Sequence, residues 1–183
     1  MQEEERTQQP DPAAPPRRHW GMFIAGLLAM LIGLGILGFY GGRKLYREYR
    51  KHRLCLENAV IAIPELRIRA PVMEGTEQSV LSQAAGHFPG TGDTGSGNYC
   101  IAAHSSILYK EYFNRLKDAQ EGTQIELYDV EKHCYHYTVS QTMIVEPNEV
   151  WVLGDFGDDR ITLITCTDDG SQRLVVVGML DRE

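Results

Sequence analysis

The sequence predicts an all-β domain with short helices, closed or nearly closed into a barrel and carried behind one membrane-spanning helix. Three observations lead there. From Ala59 onward the chain reads as roughly seven or eight short β-rich runs separated by turn chemistry. From Trp20 to Tyr40 there is no charged residue and most positions are Leu, Ile, Ala, Gly, Met or Phe; at about 20 residues this run is long enough to cross a bilayer as a helix. No internal repeat and no second domain interrupts the pattern, and 183 residues suit one ordinary domain with an appendage.

Four segments follow from composition. Residues 1–19 are polar and Pro-rich, with Glu3, Glu4 and Glu5 and with Pro10, Pro12, Pro15 and Pro16, which is the composition of a disordered tail. Residues 20–40 form the transmembrane anchor, with Trp20 and Tyr40 at the ends where aromatic belts sit. The run is too long for a signal-peptide core, and Gly41-Gly42 leads straight into Arg43-Lys44 without a small-residue cleavage site. Residues 41–56 are a basic juxtamembrane linker, suited to lie along anionic headgroups or to form a short helical stalk. Residues 57–183 are the β-barrel domain.

Within that domain Ala59 to Ile63 is a first strand ended by Pro64, and Leu66 to Arg69 alternates as a half-exposed strand does. Glu77 to Ala85 reads as a short helix stopped by Gly86. Gly92 to Gly97 is a Gly-rich loop without the Gly-Lys-Ser/Thr ending or the dinucleotide spacing of a phosphate cradle. It leads to a strand at Asn98 to Ala103. Ser105 is placed to cap a helix from Ser106 to Ala119, which puts His104 at a strand-to-helix junction. Strands are expected at Thr123 to Tyr128, His133 to Val145 and Val150 to Leu153. An acidic loop, Gly154 to Asp159, precedes a hairpin of Ile161–Cys166 and Arg173–Met179.

From Cys55 onward 20 acidic residues stand against 9 basic ones, a net of −11. That sign excludes binding to the phosphates of nucleic acid and suits a solvated acidic surface. The four cysteines, Cys55, Cys100, Cys134 and Cys166, match no zinc spacing, and His133-Cys134-Tyr135-His136 has no partner ligands at metal-site spacing. Cys100 and Cys134 fall in strand-like runs and read as buried thiols.

Cys166, His104 and Arg173 carry the chemistry. Taken singly, each has an ordinary structural reading: a Cys in an apolar strand packs as a small hydrophobe, a His after an apolar run caps or faces solvent, and an Arg opening a strand is solvated. The hairpin changes this for two of them. Thr167 to Gln172 is turn chemistry, and a symmetric register sets Cys166 directly opposite Arg173 on one face. Their Cβ atoms are then about 5 Å apart. A thiol, an imidazole and a guanidinium supply a nucleophile, a proton donor for a leaving amine and a partner for charge on a carbonyl oxygen.

The words around these residues, Thr162-Leu163-Ile164-Thr165-Cys166, Ile101-Ala102-Ala103-His104 and Gln172-Arg173-Leu174-Val175-Val176-Val177-Gly178, resemble those of the sortases, over roughly Ala59 to Leu180. The resemblance implies an eight-stranded sortase-type β-barrel. It implies a membrane-anchored cysteine transpeptidase in which Cys166 attacks the Thr–Gly carbonyl of an LPXTG-like sorting signal. His104 then protonates the departing amine, and Arg173 stabilises the oxyanion or orients the substrate. The implied partners are secreted proteins bearing that signal and an amine from a peptidoglycan cross-bridge or a pilin lysine. Thr165 is a tentative substrate-binding contact. No metal or organic cofactor is required; some family members use calcium, but no ligand set stands out here. Of six histidines, His19 and His52 flank the membrane span and His133 and His136 alternate with aromatics, which leaves His87 and His104. Gly86-His87 resembles a word that often precedes the catalytic one, and His104 matches the catalytic position.

The resemblance also implies that the barrel lies on the extracellular face. The positive-inside rule points the other way: Arg43, Lys44, Arg47, Arg50, Lys51 and Arg53 follow the span, against Arg6, Arg17 and Arg18 before it. No Asp-Pro-aromatic word lies between Cys55 and Ile63, and the chain ends at Glu183 without a second span, which leans towards class A or class D. Two other classes stay open. One is a thiol hydrolase in which water resolves the thioacyl enzyme, although papain-like enzymes place Cys before His. The other is a non-enzymatic membrane-tethered barrel that binds wall components.

Overall fold

The computed structural model describes residues 20–105 and 112–182, so the tail expected at 1–19 lies outside the described residues. Contacts divide the chain into two units, Met1–Leu45 and Tyr46–Glu183.

In the first unit the described residues are helical. They belong to α1, Trp20–Glu57, which is long and apolar enough to be a candidate membrane span near the N-terminus. Its 38 residues would measure about 57 Å at the standard rise, so residues 41–56, expected as a linker, are helical too.

The second unit is a closed barrel of eight strands. They are β1 (Ala59–Ile63), β2 (Ile68–Glu74), β3 (Ala85–His87), β4 (Asn98–Ala102), β5 (Gln124–Tyr128), β6 (Cys134–Val145), β7 (Arg160–Cys166) and β8 (Arg173–Leu180). Around the barrel they run β1-β2-β3-β4-β7-β8-β6-β5, and β5 closes on β1. Two neighbouring pairs, β2 with β3 and β4 with β7, are parallel and the rest antiparallel. The β4–β7 pairing is the one that matters for the site, because it brings together segments more than 60 residues apart.

Alternation along the strands fills the interior. Ile61, Ile101, Ile125, Leu127, Ile161, Leu163 and Val176 are fully buried in one cluster. Truncating any of the larger aliphatic ones to Ala would cost about 2–5 kcal/mol. β7 is buried on both faces: Ile164 packs on the other side in a second cluster with Val152, Val175 and Val177. This explains why Ile161 to Cys166 reads as a largely apolar run rather than an alternating one.

Several local expectations are corrected. The strand expected from Leu66 begins at Ile68, because Pro64–Leu66 is a 3₁₀ turn and Arg67 takes a left-handed conformation at φ 53°. The helix expected over Glu77 to Ala85 is a single turn, α2 (Gln78–Leu81), and Ala85 opens β3. Gly86 is required there, since a Cβ would run into the Gly75 carbonyl oxygen. The helix expected over Ser106 to Ala119 lies partly outside the described residues, at 106–111; from residue 112 onward the chain forms turns and a short 3₁₀ segment, Leu116–Asp118. Val150–Leu153, expected as a strand, is a 3₁₀ turn, and its first two residues are exposed.

The C-terminal part of α1 is tied to the barrel within the second unit. Lys132, left-handed at φ 71° in the β5–β6 turn, donates through Nζ to the carbonyls of Cys55 (3.0 Å) and Asn58 (2.9 Å). A cation there satisfies carbonyls that the helix end leaves open. Arg50 donates to the Gln83 side chain, and the Lys51 ammonium sits 4.9 Å from the Tyr112 ring centroid.

Candidate active site

The β7–β8 hairpin has the register that its sequence predicts. Cys166 pairs with Arg173, and the ladder runs back through Ile164 with Val175 to Arg160 with Met179. The loop that closes it is held by its own polar groups. The Thr167 amide donates to the Gln172 carbonyl (3.1 Å), and the Gln172 amide donates back to Thr167 Oγ1 (3.1 Å). Asp169 accepts from the Thr167 hydroxyl, the Ser171 amide and the Ser171 hydroxyl. Those hydrogen bonds hold its carboxyl down at about 2. Gly170 supplies the positive φ, 74°, that the turn needs.

β4 delivers the imidazole. It runs parallel to β7 with Ala102 beside Ile164, and one residue on the Ala103 amide still donates to the Ile164 carbonyl (3.2 Å). Carried two residues further, this register would bring His104 level with Cys166, at the end where both strands leave the barrel. His104 is half-buried, and its Nε2 is buried without a hydrogen-bond partner among the described residues. Its carbonyl accepts from the Phe113 amide (3.2 Å), which anchors the junction.

His87 differs in this respect. It is 7% exposed in β3 and stacks on Tyr99, with ring centroids 4.2 Å apart. Its Nδ1 lies 2.7 Å from a Glu74 carboxylate oxygen, and its Nε2 lies within 3.1 Å of the Gly92 carbonyl and 3.0 Å of Thr91 Oγ1. Both ring nitrogens are committed, Nδ1 to Glu74 of β2 and Nε2 to Thr91 and Gly92 at the start of the Gly-rich loop.

Cys166 and Arg173 are both half-buried. The Arg173 guanidinium reaches back onto its own loop, donating to the carbonyls of Gln172 (3.0 Å) and Gly170 (3.4 Å). Among the described ion pairs Arg173 takes part in none, so no carboxylate there competes for its charge. Alternation places Cys166 on the outward face with Thr162 and Ile164, and Arg173 with Val175 and Val177. On that same face Met143, Trp151, Val152, Thr162, Val175 and Val177 help to line a cavity of about 170 Å³.

Thr165 does not belong to that face. It is 4% exposed and points inward, and its hydroxyl donates to the Ala103 carbonyl (2.8 Å). Thr165 thus joins the ends of β4 and β7. Cys134, expected to be buried, is exposed. Cys100 is buried, which pushes its thiol up to about 11. All four cysteines are free. On the β5–β6 turn, ligand atoms of Asp129, Glu131 and His133 lie within 4.8 Å of one another, a grouping that sequence spacing did not suggest. His133 already donates its backbone amide to Asp129, and its Nδ1 lies 3.0 Å from the same carboxylate.

Residues 61–181 match the family model for the sortase domain. The chain is similar to sortase A of Bacillus anthracis, 34% identical over 122 residues, which is 66% of this chain and 58% of that protein. It is also similar to sortase A of Listeria monocytogenes, 33% identical over 67% of this chain and 55% of that one. The match therefore spans a little over half the length of these relatives. Among solved structures, a Listeria monocytogenes sortase A superposes with a TM-score of 0.65 at 30% identity, covering 69% of this chain and 88% of that one. A pilus-related sortase C of Group B Streptococcus gives 0.63 at 31% identity over 69% and 68%.

Proposed function

The chain belongs to the sortase family, and from that premise we propose that it is a membrane-anchored cysteine transpeptidase. It cleaves an LPXTG-like sorting signal between Thr and Gly and transfers the acyl group to an amine of the cell wall or of a pilin. The observation that carries this reading is the pairing of Cys166 with Arg173 on the groove side of the barrel, with His104 leaving β4 at the same end.

The steps follow from those positions. The Cys166 proton passes to His104, and Sγ forms a bond to the Thr carbonyl carbon as the carbonyl π pair moves onto oxygen. The Arg173 guanidinium turns from its loop carbonyls to the developing oxyanion, or to the neighbouring substrate carbonyl. When the pair on oxygen returns, the C–N bond breaks and His104 Nε2 gives its proton to the departing glycine nitrogen. The thioacyl enzyme remains. An incoming neutral amine attacks the same carbon, loses a proton to His104, and expels the Cys166 thiolate, which takes that proton back. No metal or organic cofactor enters these steps.

The apolar floor beside Ile164 and Val175 supports a substrate with aliphatic residues upstream of the scissile bond. Helix α1 supplies the anchor, and the chemistry requires the barrel on the extracellular face, where secreted substrates and wall amines meet. The test is incubation with an LPXTG peptide and an amine, alone and together. Amine-dependent ligation is expected. Cleavage that amine does not redirect would make the protein a hydrolase, and no reaction with either would leave a binding module.

A further inference from the structure

Asn98 opens β4 and is 2% exposed, yet it touches neither Cys166 nor His104 in the described contacts. Its side-chain amide is fully used. Nδ2 donates one hydrogen to the Val152 carbonyl (3.0 Å) and the other to the Gly154 carbonyl (2.8 Å), while Oδ1 accepts from the Thr162 hydroxyl (2.6 Å). Two facing carbonyls fix which end of the amide is nitrogen. The three partners lie on two elements, β7 and the segment between β6 and β7.

Apart from Asn98, that segment is held by the Arg160 guanidinium over the Phe156 ring (4.1 Å to the centroid) and by an edge contact of Trp151 with Phe156 (6.4 Å). Its described backbone hydrogen bonds are local: the Val150 amide to the Asn148 carbonyl, the Gly154 amide to the Trp151 carbonyl, and the Gly157 amide to the Asp155 side chain. Its large side chains stand out in solvent, Val150 at 70%, Trp151 at 50% and Phe156 at 44% exposed. Val152 packs inward, and the half-buried Leu153 packs against the same cluster. Beyond the segment the Arg160 amide donates to the Gly97 carbonyl (2.8 Å) and the Gly97 amide to Asp159 Oδ1 (3.0 Å). The connection is thus pinned at its middle and its end to one dipeptide, Gly97-Asn98. At the first pin and between the two, Trp151, Val152 and Phe156 form one wall of the cavity on the outward face of β7.

We propose that Asn98 is a positioning residue for substrate binding: by holding the Val152 and Gly154 carbonyls it sets that wall over the groove, where it meets the apolar part of the sorting peptide upstream of the scissile bond. The proposal rests on the transpeptidase reading for its substrate. Thr162 is four residues from Cys166 along β7, about 13 Å at a strand's rise. An extended peptide with its reacting carbonyl at Cys166 has its residues three and four places upstream at that distance. Loss of the tether therefore loosens contacts to the recognition residues and leaves the thiol, imidazole and guanidinium where they are.

The test uses the full chain in detergent with Trp20→Phe, so that Trp151 is the remaining tryptophan. In Asn98→Ala the emission of Trp151 is expected to move to longer wavelength, and KM for an LPXTG peptide to rise by about tenfold or more while kcat stays within about threefold. If Asn98→Ala does not fold, Thr162→Val removes only the hydroxyl that orients the amide and is expected to raise KM, with Thr162→Ser restoring it. Unchanged emission in a folded Asn98→Ala overturns the tether whether or not the protein ligates peptides. Shifted emission with unchanged KM overturns the role in binding, as does a fall in kcat at constant KM. Absence of ligation by the parent enzyme is a failure of the transpeptidase reading, and the emission arm still decides the tether.

Discussion

Cys166 and Arg173 are the last opposed pair of the β7–β8 ladder, on either side of a loop that Asp169 holds together. A guanidinium in that position is carried by the same hairpin as the sulfur, so any motion of the hairpin moves nucleophile and cation together. The loop carbonyls that Arg173 now contacts are neutral and easily exchanged for a substrate oxygen.

Arg173→Lys should therefore fail to restore activity. An ammonium lacks the planar fork that holds an oxyanion and a backbone carbonyl at once, and losing one such donor costs about 100-fold to 1,000-fold in rate. The melting temperature should hardly move, since a half-exposed substitution of this kind changes stability by less than about 0.5 kcal/mol. The measurement is kcat/KM for peptide–amine ligation beside a thermal melt; near-parental ligation would make Arg173 an ordinary strand-end residue.

The two candidate histidines separate by what each ring already does. His104→Ala is expected to abolish thioacyl formation with little loss of stability, because its Nε2 has no partner among the described residues to lose. His87→Ala is expected to keep ligation per folded molecule far better but to destabilise by about 1–3 kcal/mol, because it strands Glu74, Thr91 and Gly92. Denaturant melts and single-turnover acylation on the same preparations check this. A reversed order would transfer the proton donor to His87.

A pH dependence follows from Asp169. Its folded carboxyl is lowered from 3.8 to about 2 by hydrogen bonds that favour the charged form. A depressed carboxyl contributes stability that is complete above its unfolded value and is lost as pH falls through its folded value. Asp169→Asn should melt below the parent at neutral pH, and the gap should close between about pH 4 and pH 2. A gap that persists unchanged at the acid end would mean that the charge on Asp169 is not what orders the loop.

Orientation can be read on intact cells. Protease added outside is expected to digest the region after Arg53 in cells with a permeable wall. Protection there would favour the positive-inside count over the extracellular placement.

What the sequence disclosed depended on how local each feature is. The β7–β8 hairpin was legible because turn chemistry at Thr167 to Gln172 and two apolar flanks determine its register without reference to anything else. The closed barrel was legible as a number of short strands, whereas its order was not, since the parallel pairing of β4 with β7 joins distant segments through no local signal. β3 escaped notice because three residues, Ala85–His87, carry no periodicity, and their pairing depends on Gly86 lying against Gly75. The place of Thr165 next to Cys166 did not disclose its hydrogen bond to the Ala103 carbonyl, because that partner lies just past the end of β4, 62 residues away in the chain. Asn98 gave no signal at all, because a buried amide is recognisable only by the carbonyls that surround it.

The most direct measurement is the intact mass of the enzyme after brief incubation with an LPXTG peptide in the absence of amine. A mass gain equal to the acyl fragment ending in Thr should appear, map to Cys166 and not to Cys55, Cys100 or Cys134, and disappear on addition of amine as ligated product forms. An adduct on another cysteine, or no adduct while folded Cys166→Ala ligates as well as the parent, would contradict a thioacyl transfer at Cys166.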